Sequence, residues 1–151
     1  MATQVKSALK ELASVSQSLN QASDELSARL TEIENALNRF NLGVTAWVTL
    51  RTTEMDPEIG QFAWSAIDEL RYTKLEGKWG LVWASYIAED PENTWKQKSL
   101  RESPRDVRLL SVEKLPDLLA ELARKGAELS SNTAERVRDA QNIATALNEQ
   151  S

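Results

Sequence analysis

The chain lacks the side chains that most often carry catalysis and metal binding. It contains no histidine and no cysteine, which excludes Ser–His and Cys–His nucleophiles as well as thiolate and imidazole zinc sites. Among the remaining carboxylates, Asp68 and Glu69 are adjacent, and adjacent residues on a strand point to opposite faces of a sheet. The residue types therefore predict a protein that is not an enzyme and needs no cofactor.

Carboxylates at alternate positions form an acidic stretch with Glu54, Asp56 and Glu58, and Gly60 follows them. Hard cations prefer such oxygen ligands. A calcium loop of the EF-hand type needs its glycine at the sixth position, whereas Gly60 falls one position later when counted from Glu54. We expect a solvated acidic loop here and no metal site.

Basic side chains concentrate in a short segment, residues 96–108, which has a net charge of +3. The segment contains Lys96, Lys98, Arg101, Arg105 and Arg108. Lys98, Arg101, Arg105 and Arg108 are candidates for binding a phosphate or another anion. Residues 43–95 carry a net charge of −5, which opposes a nucleic acid partner. Because runs of charge are usually solvated, anion binding is the second interpretation.

The aromatic side chains are confined to the middle of the chain. All nine of them lie between Phe40 and Trp95. Trp79 and Trp83 are four residues apart, so both would point to one face of a strand. Rings of this kind either build the core between a sheet and its covering helices or, where exposed, mark a binding surface. Trp79 and Trp83 are the candidates for such a surface.

The N-terminal segment carries a heptad pattern whose steps alternate between four and three residues over five heptads. Its positions are Val5, Leu9, Leu12, Ser16, Leu19, Ser23, Leu26, Leu30, Ile33, Leu37 and Phe40. The pattern predicts a helix over residues 1–42, which Asn41 and Gly43 end. So long a seam needs a partner helix, and Leu19, Leu26 and Ile33 are the predicted pairing residues.

A second helix is predicted over residues 103–149, capped by Ser103 and begun by Pro104. Pro116 lies within it and predicts a kink or a break. We expect the two helices to pair as a coiled-coil-like hairpin. An antiparallel pairing would place Phe40 near Val112 and Ser23 near Leu129.

Residues 43–102 are predicted to form a Trp-rich sheet of three or four antiparallel strands, arranged as a meander. One strand is expected over residues 43–52, and a hairpin over 70–87 turns at Glu76-Gly77-Lys78. A turn over residues 90–93 then leads into a short strand over 94–100. The fold class is therefore α+β in a single domain, with a long helix on each side of the sheet region.

These features favour a non-enzymatic protein–protein interaction module that acts through its helices and its β region. An adaptor, an assembly factor or a holdase-like chaperone would fit, and the partner is a protein, with a homo-oligomer as one form. The alternatives are a regulatory domain that binds an anion or nucleic acid through residues 96–108 and a small carboxylate-based enzyme. No stretch approaches the roughly 18 apolar residues of a membrane span. We expect a cytoplasmic protein without membrane contact.

Overall fold

The chain forms two long helices and one four-stranded sheet. The computed structural model describes residues 1–55 and 64–151, so Asp56, Glu58 and Gly60 of the predicted acidic loop lie outside the described residues. The elements in chain order are α1 (Ala2–Arg39), β1 (Ala46–Met55), β2 (Trp64–Leu75), β3 (Lys78–Ile87), β4 (Asp90–Ser99), a short 3₁₀ helix (Leu100–Glu102) and α2 (Arg105–Glu149). The predicted α+β fold class is confirmed.

The sheet is an antiparallel meander in the order β1-β2-β3-β4, as the sequence predicts. The β2–β3 hairpin is tighter than expected, because Leu75 pairs with Lys78 and only Glu76 and Gly77 form the loop. Both loop residues have positive φ angles, 53° and 80°, which is the conformation of a type I′ turn. This turn fits the twist of the flanking strands, so it fixes the register of β2 against β3.

One face of the sheet packs against both helices. In β2 and β3 the inward side chains alternate along each strand, with Leu70 and Tyr72 opposite Trp83 and Leu81. Helix α1 packs over β3 and the 3₁₀ helix, and α2 packs over β1 and β2. The buried apolar residues of the helices are Leu30 and Leu37 of α1 together with Val107, Leu115, Leu118 and Leu122 of α2. The sheet is therefore the partner that most of the buried helix residues share.

The two helices run in the same direction across the sheet, so the antiparallel pairing predicted from the seam is wrong. Ser23 of α1 accepts hydrogen bonds from Arg108 near the start of α2. Nineteen residues farther along, just after the end of α1, the side chain of Leu42 lies beside Gly126 of α2. The four strands of the meander connect the end of α1 to the start of α2. A connection of this length permits either a parallel or an antiparallel orientation of the two helices.

Several boundaries differ from the sequence prediction. The predicted turn over residues 90–93 is wrong, because β4 already begins at Asp90 and the turn lies at Ala88 and Glu89. Helix α2 begins at Arg105 with Pro104 as its cap residue, while Ser103 donates to the Leu100 carbonyl oxygen instead. Pro116 is exposed and α2 continues through it, so the helix does not break there.

Candidate functional site

The first half of α1 extends beyond the sheet as an exposed helix, here called the α1 arm (residues 2–22). Every residue in it is exposed. Its seam residues are no exception, since Leu12 is 63% and Leu19 is 44% exposed, whereas Leu30 in the same seam is 2% exposed. One heptad pattern therefore serves two purposes, covering the sheet in its second half and facing solvent in its first.

The last part of α2 extends in the same way and is called the α2 arm (residues 127–149). All of its residues are exposed, and its apolar side chains Leu129, Val137, Ile143 and Leu147 are each at least 44% exposed. Helix α2 also exposes Leu109, Val112 and Leu119 over the sheet. The apolar exposure of this helix is therefore not confined to the arm.

The α1 arm ends at residue 22, next to the point where Arg108 joins the two helices. The guanidinium of Arg108 donates to the carbonyl oxygen and Oγ of Ser23, at 2.9 and 2.8 Å, and to Oγ of Ser27 at 2.5 Å. The small seam residue Ser23 leaves room for this planar donor group, whose fork suits several acceptors at once. These hydrogen bonds mark the boundary in α1 between the exposed arm and the part of the helix that packs within the chain.

The predicted pairing residues of α1 are divided between the two halves of the helix. Leu26 and Ile33 are partly buried and pack against the core of the same chain, so their seam positions face the sheet. Leu19 is exposed on the α1 arm. Of the three, only Leu19 lies where a second protein can reach its side chain directly.

The two predicted surface tryptophans also separate. Trp83 is 5% exposed, its Nε1 donates to Asp68 at 3.2 Å, and Lys96 Nζ lies 4.7 Å from its ring centroid. Trp83 is therefore a core residue. Trp79 is partly buried and stacks on Tyr72 with ring centroids 5.5 Å apart.

Trp79 lines a groove of about 730 Å³ between the end of α1, the β2–β3 turn and the end of β4. Lys98 and Arg101 line it as well, so the groove unites one predicted partner-binding residue with two predicted anion-binding residues. The described lining contains three acidic and three basic side chains, namely Glu34, Glu76, Glu102, Lys78, Lys98 and Arg101. This balance gives an anion no net attraction.

Two polar side chains of α1 form one wall of the groove by bonding to the free half of β3. The amide of Leu81 donates to Glu34 at 2.7 Å, and Asn38 Nδ2 donates to the Trp79 carbonyl oxygen at 3.1 Å. Because β4 pairs with β3 only from Val82 onward, these side chains replace a neighbouring strand. They satisfy an edge that would otherwise be open to strand addition.

Tyr72 completes this polar wall. Its hydroxyl donates to Asn38 Oδ1 at 2.5 Å. Burial raises the pKa of the Tyr72 phenol above its ordinary value of 10.0, and the nearby Glu34 carboxylate raises it further. The neutral phenol is thus the form that the folded protein favours.

The remaining predicted anion-binding residues lie away from Lys98 and Arg101. Arg108 is occupied between the helices, and Arg105 is partly buried at the start of α2. The cluster of basic charge in the sequence therefore does not become a single basic surface. Its members face the groove, the helix junction and the Trp83 ring.

The carboxylates Asp68 and Glu69 are both buried, 9% and 4% exposed, on opposite faces of the sheet. Asp68 accepts from Arg51, Trp83 and Ser85, and Glu69 accepts from Arg71. Each carboxylate is thus held by its own donors, and the two do not converge on one substrate. In the described residues, no group of three or more metal-binding side chains comes together.

The chain matches no protein-family model, no curated protein and no solved structure. Within the described residues, no helix has the length and apolarity to cross a bilayer.

Some residues that shape these features carry no distinctive sequence signal. Ser23 and Ser27 receive Arg108, and Glu34 and Asn38 cover the β3 edge. Glu34 and Asn38 are four residues apart and so share one helix face. Ser23 is a small residue in a mostly apolar seam, but the predicted antiparallel pairing placed it near Leu129 and not near Arg108.

Proposed function

We propose that the protein is a non-enzymatic interaction module whose two helical arms bind helices of partner proteins. The observation that carries the proposal is the contrast within one seam, in which Leu30 and Leu37 are buried on the sheet while Leu9, Leu12 and Leu19 are exposed. Exposed contiguous apolar surface on a folded protein marks an interaction site.

The energetics of the arms support this role. The described arms are about 31 and 34 Å long at 1.5 Å per residue, and helices in proteins owe most of their stability to the packing of an apolar face. A partner helix that covers the seam residues would supply the apolar burial that the chain itself does not provide. Helix-in-groove and coiled-coil recognition use this spacing of anchors.

The composition of the α1 arm suits close helix packing. Alanines flank the seam at Ala8, Ala13 and Ala22, so the flanks present little bulk to a neighbour. Ser14 lies on the opposite side of the same helix, at the position farthest from the seam. The arm therefore has a distinct binding side and a matched solvent side.

Face-resolved photocrosslinking in the cells that produce the protein tests this proposal. A photoreactive amino acid would replace Leu12 or Val137 on the seams, and Ser14 or Asn142 on the opposite sides, in the full-length chain. We expect crosslinked protein adducts from the seam positions and at least several-fold fewer from the control positions. All four side chains are exposed, so the replacements leave the fold intact.

Equal adduct yields from both sides of each helix would contradict the proposal, because contact would then reflect exposure alone. No adducts from either seam position would contradict it as well.

A further inference from the structure

The two arms leave the sheet at opposite ends of the molecule. Ser23 lies level with Arg108, so the α1 arm extends past the beginning of α2. Leu42 lies level with Gly126, so the α2 arm extends past the end of α1. Along the common helix direction, the α1 arm therefore lies on the N-terminal side of the sheet and the α2 arm on its C-terminal side.

A second copy shifted along this direction would place its α1 arm beside the α2 arm of the first copy. Both helices would then run the same way, since α1 and α2 are already parallel within one chain. The contact between copies would continue the alignment that Arg108 and Gly126 establish inside the chain. No reversal of either helix is needed to form it.

The charges of the arms favour this pairing of unlike arms. The α1 arm contains two basic residues and one acidic residue, a net charge of +1, from Lys6, Lys10 and Glu11. The α2 arm has four acidic and two basic residues, a net charge of −2. Unlike arms attract each other, whereas two α1 arms or two α2 arms repel, and such complementarity selects partner and orientation.

We propose that the partner of each arm is a second copy of this chain, joined head to tail with the α1 arm of one copy beside the α2 arm of the next. This rests on the proposed function of the arms. The contact joins two different surfaces, so each added copy still offers one free arm at each end. A displacement without closing rotation generates an open chain of copies.

Two seam variants of the full-length protein test the head-to-tail contact. The first carries Leu9→Asp and Leu12→Asp and loses only the α1 seam. The second carries Val137→Asp and Ile143→Asp and loses only the α2 seam. These four side chains are exposed, so the variants should fold, and Ser14→Asp with Asn142→Asp provides the control of equal charge.

Light scattering of the purified proteins gives the result. We expect the wild type and the control to grow in mass with concentration, and each seam variant alone to keep the mass of one chain. An equimolar mixture of the two variants should form a complex of two chains and nothing larger, because only one intact pair of unlike seams remains.

Three results would overturn the inference. These are a wild type that stays at the mass of one chain, a seam variant that still associates with itself, and a mixture that fails to form the two-chain complex. If the purified wild type is monomeric while seam positions still crosslink to other proteins in cells, the head-to-tail contact fails and the proposed function stands. If the seam positions crosslink to nothing, both fail.

Discussion

At the scale of single residues, hydrogen bonds from a few polar side chains join α1 to α2 and to β3. Arg108 is the clearest case, because one guanidinium donates to three acceptors on α1. Hydrogen bonds from a charged donor are worth more than neutral ones, and a buried acceptor left unpaired is costly. The junction of the helices therefore depends on this side chain.

Replacing Arg108 with methionine, which keeps the length and removes the donors, should lower the free energy of unfolding by roughly 1–3 kcal/mol. Arg108→Lys should recover part of the loss, since it keeps the charge without the planar fork. Urea unfolding measures both variants, with Arg138→Met on the exposed α2 arm as the control. Equal stability of Arg108→Met and the wild type would contradict the assigned role.

Gly80 and Glu34 form a pair in which the absent side chain matters. A Cβ at Gly80 would overlap Oε1 of Glu34, which accepts the Leu81 amide. Gly80→Ala should displace the flexible carboxylate and leave that amide without its acceptor, at a cost of about 1–3 kcal/mol. In a Glu34→Ala background, the same substitution should cost at least about 1 kcal/mol less, since contacting residues are not additive. A double-mutant cycle measures the difference, and strictly additive losses would show that the contact is unimportant.

The raised pKa of Tyr72 has a consequence at alkaline pH. The folded protein holds the phenolic proton more tightly than the unfolded chain, so this stabilisation is complete below about pH 10 and is lost as the pH rises through the folded-state pKa. The free energy of unfolding should therefore fall above about pH 10, and Tyr72→Phe should reduce the slope. Unfolding titrations over this range give the slopes, and an unchanged slope in Tyr72→Phe would refute the assignment. Burial raises the pKa of Tyr86 as well, so Tyr86→Phe should reduce the slope independently of Tyr72→Phe.

At the scale of elements, the sequence predicted the helices and the meander because each leaves a local signal. Asn41 and Gly43, with φ angles of 52° and 66°, end α1 where their residue types indicated. The start of β4 was missed, because Asp90 and Pro91 are typical turn residues and only pairing with β3 holds them in a strand. Such tertiary context overrides local propensity.

The heptad pattern could not predict how the helices are arranged on the sheet or which of the candidate site residues are exposed. A heptad seam is the same whether it faces a helix, a sheet or solvent, so Leu12 and Leu30 look alike in sequence although their exposures differ. The direction of α2 relative to α1 depends on how the chain leaves the end of β4 and crosses the sheet. Local periodicity does not encode this path. Trp79 reached the groove and Trp83 the core for the same reason, since neither residue type specifies its exposure.

Gly126 and Gly77 give a prediction about helix α2 and the β2–β3 turn. A Cβ at Gly126 would lie 3.7 Å from Leu42 Cδ2, an ordinary contact. Gly126→Ala should therefore raise the free energy of unfolding by about 0.5–1 kcal/mol, because glycine is a poor helix former. Gly77→Ala should lower it by about 1 kcal/mol or more, since φ at Gly77 is +80°. Thermal unfolding measures both changes, and a destabilised Gly126→Ala would show that the Leu42 contact is tighter than described.

At the scale of the whole molecule, the protein consists of a stable sheet with its covering helices and two arms that lack cover in the described chain. Stability is expected to differ accordingly, with the highest protection at buried strand residues such as Leu81 and Trp83 and the lowest in the arms. This uneven distribution of stability is the physical basis of the proposed function. A partner helix can bury the most additional apolar surface on the arms, where the chain alone buries the least.

The most direct test of whether the arms lack cover in the single chain is amide hydrogen exchange of the full-length chain over a series of protein concentrations. The exchange is measured separately in residues 2–22, residues 127–149 and β3. We predict that β3 is protected throughout, and that both arms exchange rapidly when dilute and become protected as the concentration rises. The Leu9→Asp, Leu12→Asp variant should lose the gain in the α1 arm, whereas Ser14→Asp should keep it. Arms that exchange at the same rate at every concentration would contradict the head-to-tail contact between copies. Arms already as protected as β3 in the dilute protein would contradict the central claim, that the arms lack cover in the single chain.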